Sequence, residues 1–359
     1  MAHSGEPVER VKALSTTLGR ARHIVPVIAC SLALAAGLLP SNSAFASNCE
    51  VTSVGFTPLN DLGAGTYKGS QGGLYPGGLN QDPATHVAQG RQLADQVVPR
   101  LPNGTPDAVG GKIVFLSIGM SNTSIEFSHF ITKANADPQK DSRVLLVDGA
   151  VPGGAAEEFA DPSSTYWQHS DDQLKQAGGY PAQVQAVWLK ETLKHPTVTW
   201  PADANLLRDD LHSIVHILKQ KYPNLWLVYL SSRIYAGYAE TNLSPEPHAY
   251  QGGFSVKWLI QDQLQGKMPV SATTVPWLGW GPYMWADGLK PRSDGLTWEC
   301  HDFDVDGTHP AAGAVAKVDN MLMSFVHNDA TASIWYKGTA APGGGLLGGL
   351  CNLLPNIIC

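Results

Sequence analysis

The sequence predicts an α/β fold, a three-layer α/β/α sandwich on a mainly parallel sheet of the flavodoxin-like kind. Three observations carry that expectation. Short continuous apolar runs of strand length recur along the chain, as in a sheet covered on both faces. Segments with helical apolar spacing alternate with them. The turns that follow the runs are rich in Gly, Ser and Asp, as expected where strand ends meet a ligand.

Residues 1–46 stand apart. Arg10, Lys12, Arg20 and Arg22 precede an apolar run, Ile24–Leu39 (IVPVIACSLALAAGLL), which ends at Pro40 and SNSAFA. Ala44 and Ala46 match an A-x-A cleavage signal, so residues 1–46 read as a signal peptide and Ser47 as the mature start. The run is shorter than the roughly 20 apolar residues a membrane span requires and contains Pro26. No adjacent arginine pair points to a twin-arginine route. The expectation is a secreted or periplasmic protein with no stable membrane span in the mature chain.

Residues 47–110 read as a loop-rich N-terminal extension, with turns in QGGLYPGGLNQDP and one helix from Ala84 to Val98 that stops at Pro99. Residues 111–330 carry the sandwich. Lys112–Gly119 (KIVFLSIG) is the first strand. Residues 123–135 follow as a helix with Phe127, Phe130, Ile131 and Ala134 on one face. Arg143–Val147 (RVLLV), Val184–Leu189 (VQAVWL) and Leu225–Leu230 (LWLVYL) are the next strands. Between the last two, residues 202–221 form the clearest amphipathic helix, with Leu207, Leu211, Ile214, Val215 and Leu218 in line. Residues 311–327 form a last helix with Val315, Val318, Leu322, Phe325 and Val326 inward. Residues 331–359 read as a tail whose GGGLLGGL has no fold of its own.

Charge narrows the partners. The whole chain carries 24 Lys/Arg and 31 Asp/Glu; without the four Lys/Arg and two Asp/Glu of residues 1–46 the formal net charge is −9. That argues against a nucleic-acid or anionic-membrane surface. Cys30 leaves with the signal, and Cys49, Cys300, Cys351 and Cys359 remain. An even count in an exported chain implies two disulfides, with three pairings open, that tie the termini to the body. No C-x-x-C pair points to a metal site.

Active sites of such folds gather at the carboxyl ends of the strands. After the first strand comes Gly119-Met120-Ser121-Asn122. Ser121 stands where a strand turns into a helix, so its N–H lies at a helix N-terminus that favours a developing anion; helix capping would equally account for a serine there. After the second strand, DGAVPGG permits close backbone approach. Ser231-Ser232-Arg233, after the fourth, reads as a solvated loop.

The segment His301–Pro310 (HDFDVDGTHP) admits two readings. Asp302, Asp304, Asp306 and Gly307 open like a calcium loop, but position 12 falls on Gly313 and no carboxylate closes the cage. As part of a triad, Asp306 and His309 lie three residues apart on a turn entering a helix. His309 then serves as general base toward Ser121, and Asp306 holds its tautomer.

Together these blocks resemble the SGNH, or GDSL-like, hydrolase superfamily over roughly residues 112–327. G-M-S-N matches its nucleophile block at Ser121. AVPGG is similar to its second block and implies an oxyanion role for Gly153. D-x-x-H falls on Asp306 and His309. G-x-S-N is similar to the carbohydrate-esterase branch, with Met120 where Gln is usual. In that branch's W-x-Q-G-E block this chain reads W-L-K-E, which puts Lys190 at the oxyanion amide and drops a glycine. The resemblance implies an exported serine esterase that removes acyl groups, acetyl foremost, from a carbohydrate. It implies no cofactor and no metal. Asn122, His248 and Trp258 are the candidate substrate contacts, the last two from the segment Glu246–Trp258. The alternative is a non-catalytic extracellular carbohydrate-binding or structural protein on the same fold, motivated by the departures at Met120 and Lys190.

Overall fold

The computed structural model describes residues 47–338. The expected signal peptide, Cys351 and Cys359 lie outside them. The chain begins with a short helix α1 (Leu59–Leu62), a hairpin of β1 (Thr66–Tyr67) and β2 (Ser70–Gln71), and helix α2 (Ala84–Ala94). Strands and helices then alternate: β3 (Ile113–Gly119), α3 (Ser121–Asn135), β4 (Val144–Asp148), α4 (Ala156–Phe159), α5 (Thr165–Gln176), β5 (Val184–Lys190), α6 (Ala202–Lys221), β6 (Leu227–Leu230), α7 (His248–Leu264) and β7 (Trp277–Trp280). Two helices close the described chain, α8 (Ala312–Asn328) and α9 (Ala332–Tyr336).

The five main strands run β4-β3-β5-β6-β7, and every ladder is parallel. The helices fall into two packed sets: α3 with α8, α8 with α9, and α9 with α2; α4 with α5 and α6, and α6 with α7. The right-handedness general to crossovers between parallel strands puts the two sets on opposite faces. The expected α/β/α sandwich is therefore the observed one. Both central strands, β3 and β5, are buried along their whole length, which is why their sequences read as unbroken apolar runs. The chain leaves β3 toward β4 on one side and returns to β5 on the other. The carboxyl ends of β3 and β5 thus flank the crevice where the strand order reverses.

Several expectations shift. The helix from Ala84 ends at Ala94 rather than Val98. Beyond it, Gln185 of β5 takes both peptide groups of Val98, accepting its N–H at 3.1 Å and donating to its carbonyl at 2.8 Å, so the chain there docks on the sheet. The segment containing His248 and Trp258 lies in α7. Trp277 and Trp280 form a fifth strand, β7, and Trp285 is core. Within the segment expected as tail, α9 buries Trp335 and Tyr336, and the part of that segment beyond residue 338 lies outside the described residues. The extension is stitched to the body: Asp287 accepts from Ser53 Oγ at 2.6 Å and Val54 N–H at 2.7 Å, and Cys49 is disulfide-bonded to Cys300.

Candidate active site

Gly119 ends β3, and its lack of a side chain is a packing requirement. A Cβ there would lie 2.3 Å from Thr123 Oγ1 and 2.4 Å from the Lys190 carbonyl oxygen. Through that gap Thr123 Oγ1 donates to the Lys190 carbonyl at 2.8 Å, locking the first turn of α3 to the end of β5. Ser121 is the first residue of α3, where N–H groups have no partner within the helix. Asp148, at the end of β4, accepts from Ser117, Ser124 and Ser128, and so holds the same helix from the other side.

The loop before α8 carries Asp306 and His309. Phe303 and Pro310 pair across it, Asp304 N–H donates to the His309 carbonyl at 2.9 Å, and Gly307 N–H donates to the Asp304 carbonyl at 2.8 Å. Gly307 has φ 63°, and a Cβ on it would lie 1.9 Å from the Tyr238 carbonyl oxygen. Both facts require glycine. The resulting turn sets His309 Nδ1 at 2.6 Å from Asp306 Oδ2. The other carboxylate oxygen accepts the N–H groups of Thr308 at 2.9 Å and His309 at 3.0 Å. His309 Nε2 lies 2.9 Å from Ser121 Oγ. A carboxylate against Nδ1 selects the Nδ1–H tautomer and leaves the Nε2 lone pair facing the serine hydroxyl. Burial pushes the Asp306 carboxyl up, but the His309 backbone N–H, its imidazole and the Thr308 N–H outweigh it and hold the acid below its ordinary value. The group is thus an anion wherever the imidazole needs one.

The three aspartates do not converge. Asp302 accepts from the Glu299 N–H at 2.7 Å and pairs with Lys317, while Asp306 faces His309. No group of three or more His, Cys, Asp or Glu able to hold a metal ion occurs among the described residues.

Of the other expected site residues, Asn122 and Lys190 line the recess beside Ser121, while His248 and Trp258 lie outside it. Gly153 lies in the turn after β4 with φ 83°, and Val151 N–H ties that turn to the Gly119 carbonyl at 2.8 Å. Asn122 lines the recess beside Ser121, but its amide N–H donates to the Thr308 carbonyl at 3.0 Å and so braces the helix that begins at Ser121 against the His309 loop. Lys190 lines the same recess, yet it is buried and ion-paired with Glu126 of α3, which is fully buried. Desolvation lowers the lysine's pKa and raises the glutamate's, and each partner opposes the shift of the other. That pairing takes up the ammonium expected at the oxyanion. His248 lines a neighbouring cleft that shares Thr192 with the recess; its Nδ1 lies 3.3 Å from Asp203 Oδ2. Burial lowers its pKa against the pull of Asp203. Trp258 is elsewhere, tilted against Trp200 and Phe254 and lining a separate depression with Ser70 and Lys257.

A partly open recess lies beside Ser121. Glu191, Arg233 and Leu243 also line it. Ser231, Ser232 and Arg233 are all buried, contrary to the solvated loop expected after the fourth strand. Their position directly at the carboxyl end of a buried strand was the available signal.

No protein-family model matches the chain, and no curated protein is significantly similar to it in sequence. Several solved structures are similar to parts of the chain. A candidate acylhydrolase from Bacteroides fragilis is 10% identical, over 68% of this chain and 97% of its own, with a TM-score of 0.36. An Arabidopsis thaliana protein is 14% identical over 56% and 67%, with a TM-score of 0.32. The periplasmic domain of a lipopolysaccharide acetyltransferase from Salmonella serovar Paratyphi A is 14% identical over 68% and 95%, with a TM-score of 0.33. These likenesses carry no argument about activity.

Proposed function

We propose that this chain is an exported serine esterase that removes acyl groups, acetyl foremost, from a carbohydrate. The observation that carries the reading is the relay of Ser121 Oγ, His309 and Asp306 at 2.9 and 2.6 Å. Ser121 Oγ attacks the ester carbonyl carbon as His309 Nε2 takes its proton. The N–H groups of Ser121 and Gly153 receive the oxyanion. The tetrahedral intermediate collapses, His309 returns the proton to the departing alcohol, and Asp306 stabilises the imidazolium throughout. Water, activated by the same imidazole, then releases the acid. The cycle closes without a cofactor. Export is supported by the Cys49–Cys300 disulfide, since such bonds persist in oxidising compartments. No helix among the described residues is long and apolar enough to cross a membrane.

The test is covalent labelling. The mature protein is incubated with a fluorophosphonate, its intact mass is recorded and the adduct is mapped. The expected result is one adduct, on Ser121, lost in Ser121→Ala and in His309→Ala. A folded protein that takes no label would favour the non-catalytic binding protein instead.

A further inference from the structure

Arg233 is an unusual tenant of the recess. It follows β6, is 7% exposed, and lines the space beside Ser121 together with Glu191. Its Nη1 donates to the carbonyls of Leu243 and Ser244, which fixes the guanidinium against the loop wall. Its Nε–H is buried and has no partner.

Nor does Arg233 form an ion pair with any described residue. The carboxylates that attract it, Glu246, Glu126 and Asp306, are each committed elsewhere. Glu246 accepts from the N–H groups of Ala236 and Tyr250 and from the Trp285 indole. Glu126 pairs with Lys190, and Asp306 with His309. A buried guanidinium with an idle donor and no counter-ion is costly to keep unless something outside the chain completes it. Glu191 stands beside it. Burial raises its carboxyl well above the ordinary value against the Thr192 N–H, and its Oε1 also has no partner.

We infer that Arg233 is a specificity-determining residue that receives a carboxylate of the ester substrate in the recess beside Ser121. The inference rests on the esterase reading above and deepens it: the favoured substrates are esters that carry a carboxylate near the scissile bond. Guanidinium suits that role because it presents N–H donors to a planar carboxylate. The carboxylate can belong to the acyl half, as in a dicarboxylic half-ester, or to the alcohol half, as in a uronic acid.

The experiment compares matched esters in two arms. In the first, 4-methylumbelliferyl hemisuccinate is set against its neutral methyl succinate analogue. In the second, an O-acetylated methyl glucuronoside is set against the O-acetylated methyl glucoside, with acetate release as the readout. One arm is expected to show kcat/KM at least about tenfold higher for the carboxylate-bearing member, the scale of a charge-assisted contact. In that arm the ratio should collapse toward one in Arg233→Gln and persist in part in Arg233→Lys, with thermal melts confirming that both variants fold. The wild-type preference needs no variant, so a misfolded one leaves the inference testable. Hydrolysis of the neutral esters with no preference in either arm overturns the inference and leaves the esterase standing. A preference that Arg233→Gln leaves unaltered overturns it too. No turnover of any ester and no fluorophosphonate adduct overturns both readings.

Discussion

Replacing Asp306 by Asn separates the electrostatics of the relay from its geometry. Asp306 uses one oxygen to accept two backbone N–H groups, at 2.9 and 3.0 Å, and the other to face His309 Nδ1 at 2.6 Å. An asparagine keeps the two backbone bonds if its carbonyl oxygen stays on them. Its NH₂ then meets Nδ1, and two donors cannot share that contact. The imidazole responds by moving its proton to Nε2, where it faces Ser121 Oγ and can no longer accept the hydroxyl proton. The opposite amide orientation sets NH₂ against the two backbone N–H groups and loses both bonds. Tautomer inversion of this kind costs a serine hydrolase about 10⁴ in kcat, or about 5.4 kcal/mol at 1.36 kcal/mol per decade. Stability should fall by about 1 kcal/mol or less, because the loop keeps its backbone acceptor. The assay is kcat/KM on 4-methylumbelliferyl acetate, with the rate of fluorophosphonate labelling and a thermal melt on the same preparations. Asp306→Asn retaining activity within tenfold of wild type would refute the assignment of Asp306 to the relay.

Three further substitutions probe the frame around the site. Gly307→Ala should destabilise by at least about 2 kcal/mol and cut esterase activity, because φ 63° and a Cβ 1.9 Å from the Tyr238 oxygen force the His309 loop to move; a urea titration showing wild-type stability would contradict this. Lys190→Met strands a fully buried Glu126 and should cost about 3–5 kcal/mol, most of it recovered when Glu126→Leu is added. A double variant whose cost in chemical denaturation equals the sum of the Lys190→Met and Glu126→Leu costs would show that the pair is not coupled. Asp210→Asn should raise Tm at pH 7.5. Burial first, then the charges of Glu157 and Asp209, raise the Asp210 pKa to about 6, above the value of about 3.8 it has when unfolded. Ionising it therefore weakens the fold as pH rises through 6. The advantage of asparagine should shrink as pH falls from 6 toward 4, and a gain that does not vary with pH would count against this origin.

Much of the fold was legible because its signals are local. The apolar runs that became β3, β4, β5 and β6 announced themselves, and the periodic helix over 202–221 coincides with α6. The Asp306–His309 contact was legible for the same reason, since three residues on one turn suffice to form it. Elements without a local signature were missed. α5 is polar along most of its length, and β7 is four residues of WLGW, whose aromatics read equally as platform or core. α7 is buried on nearly all sides and shows no polar face from which a helical period could be read.

By itself, the sequence determined which segments become strands and helices, where strand ends offer a serine, a glycine turn and an Asp-x-x-His loop, and that the chain is acidic, with 31 Asp/Glu against 24 Lys/Arg. Period and spacing act over a few residues, so they survive without the fold. Only the tertiary structure decided which of those ends meet. Ser121 and His309 are 188 residues apart, and Lys190 and Glu126 are 64 apart. The first contact brings Ser121 and His309 together, and the second pairs the lysine that the family resemblance had offered to the oxyanion. Arg233 became legible in the same way. Burial, and the absence of a partner for its Nε, are properties of the packed interior, set by every neighbouring segment at once rather than by the residues beside it in the chain.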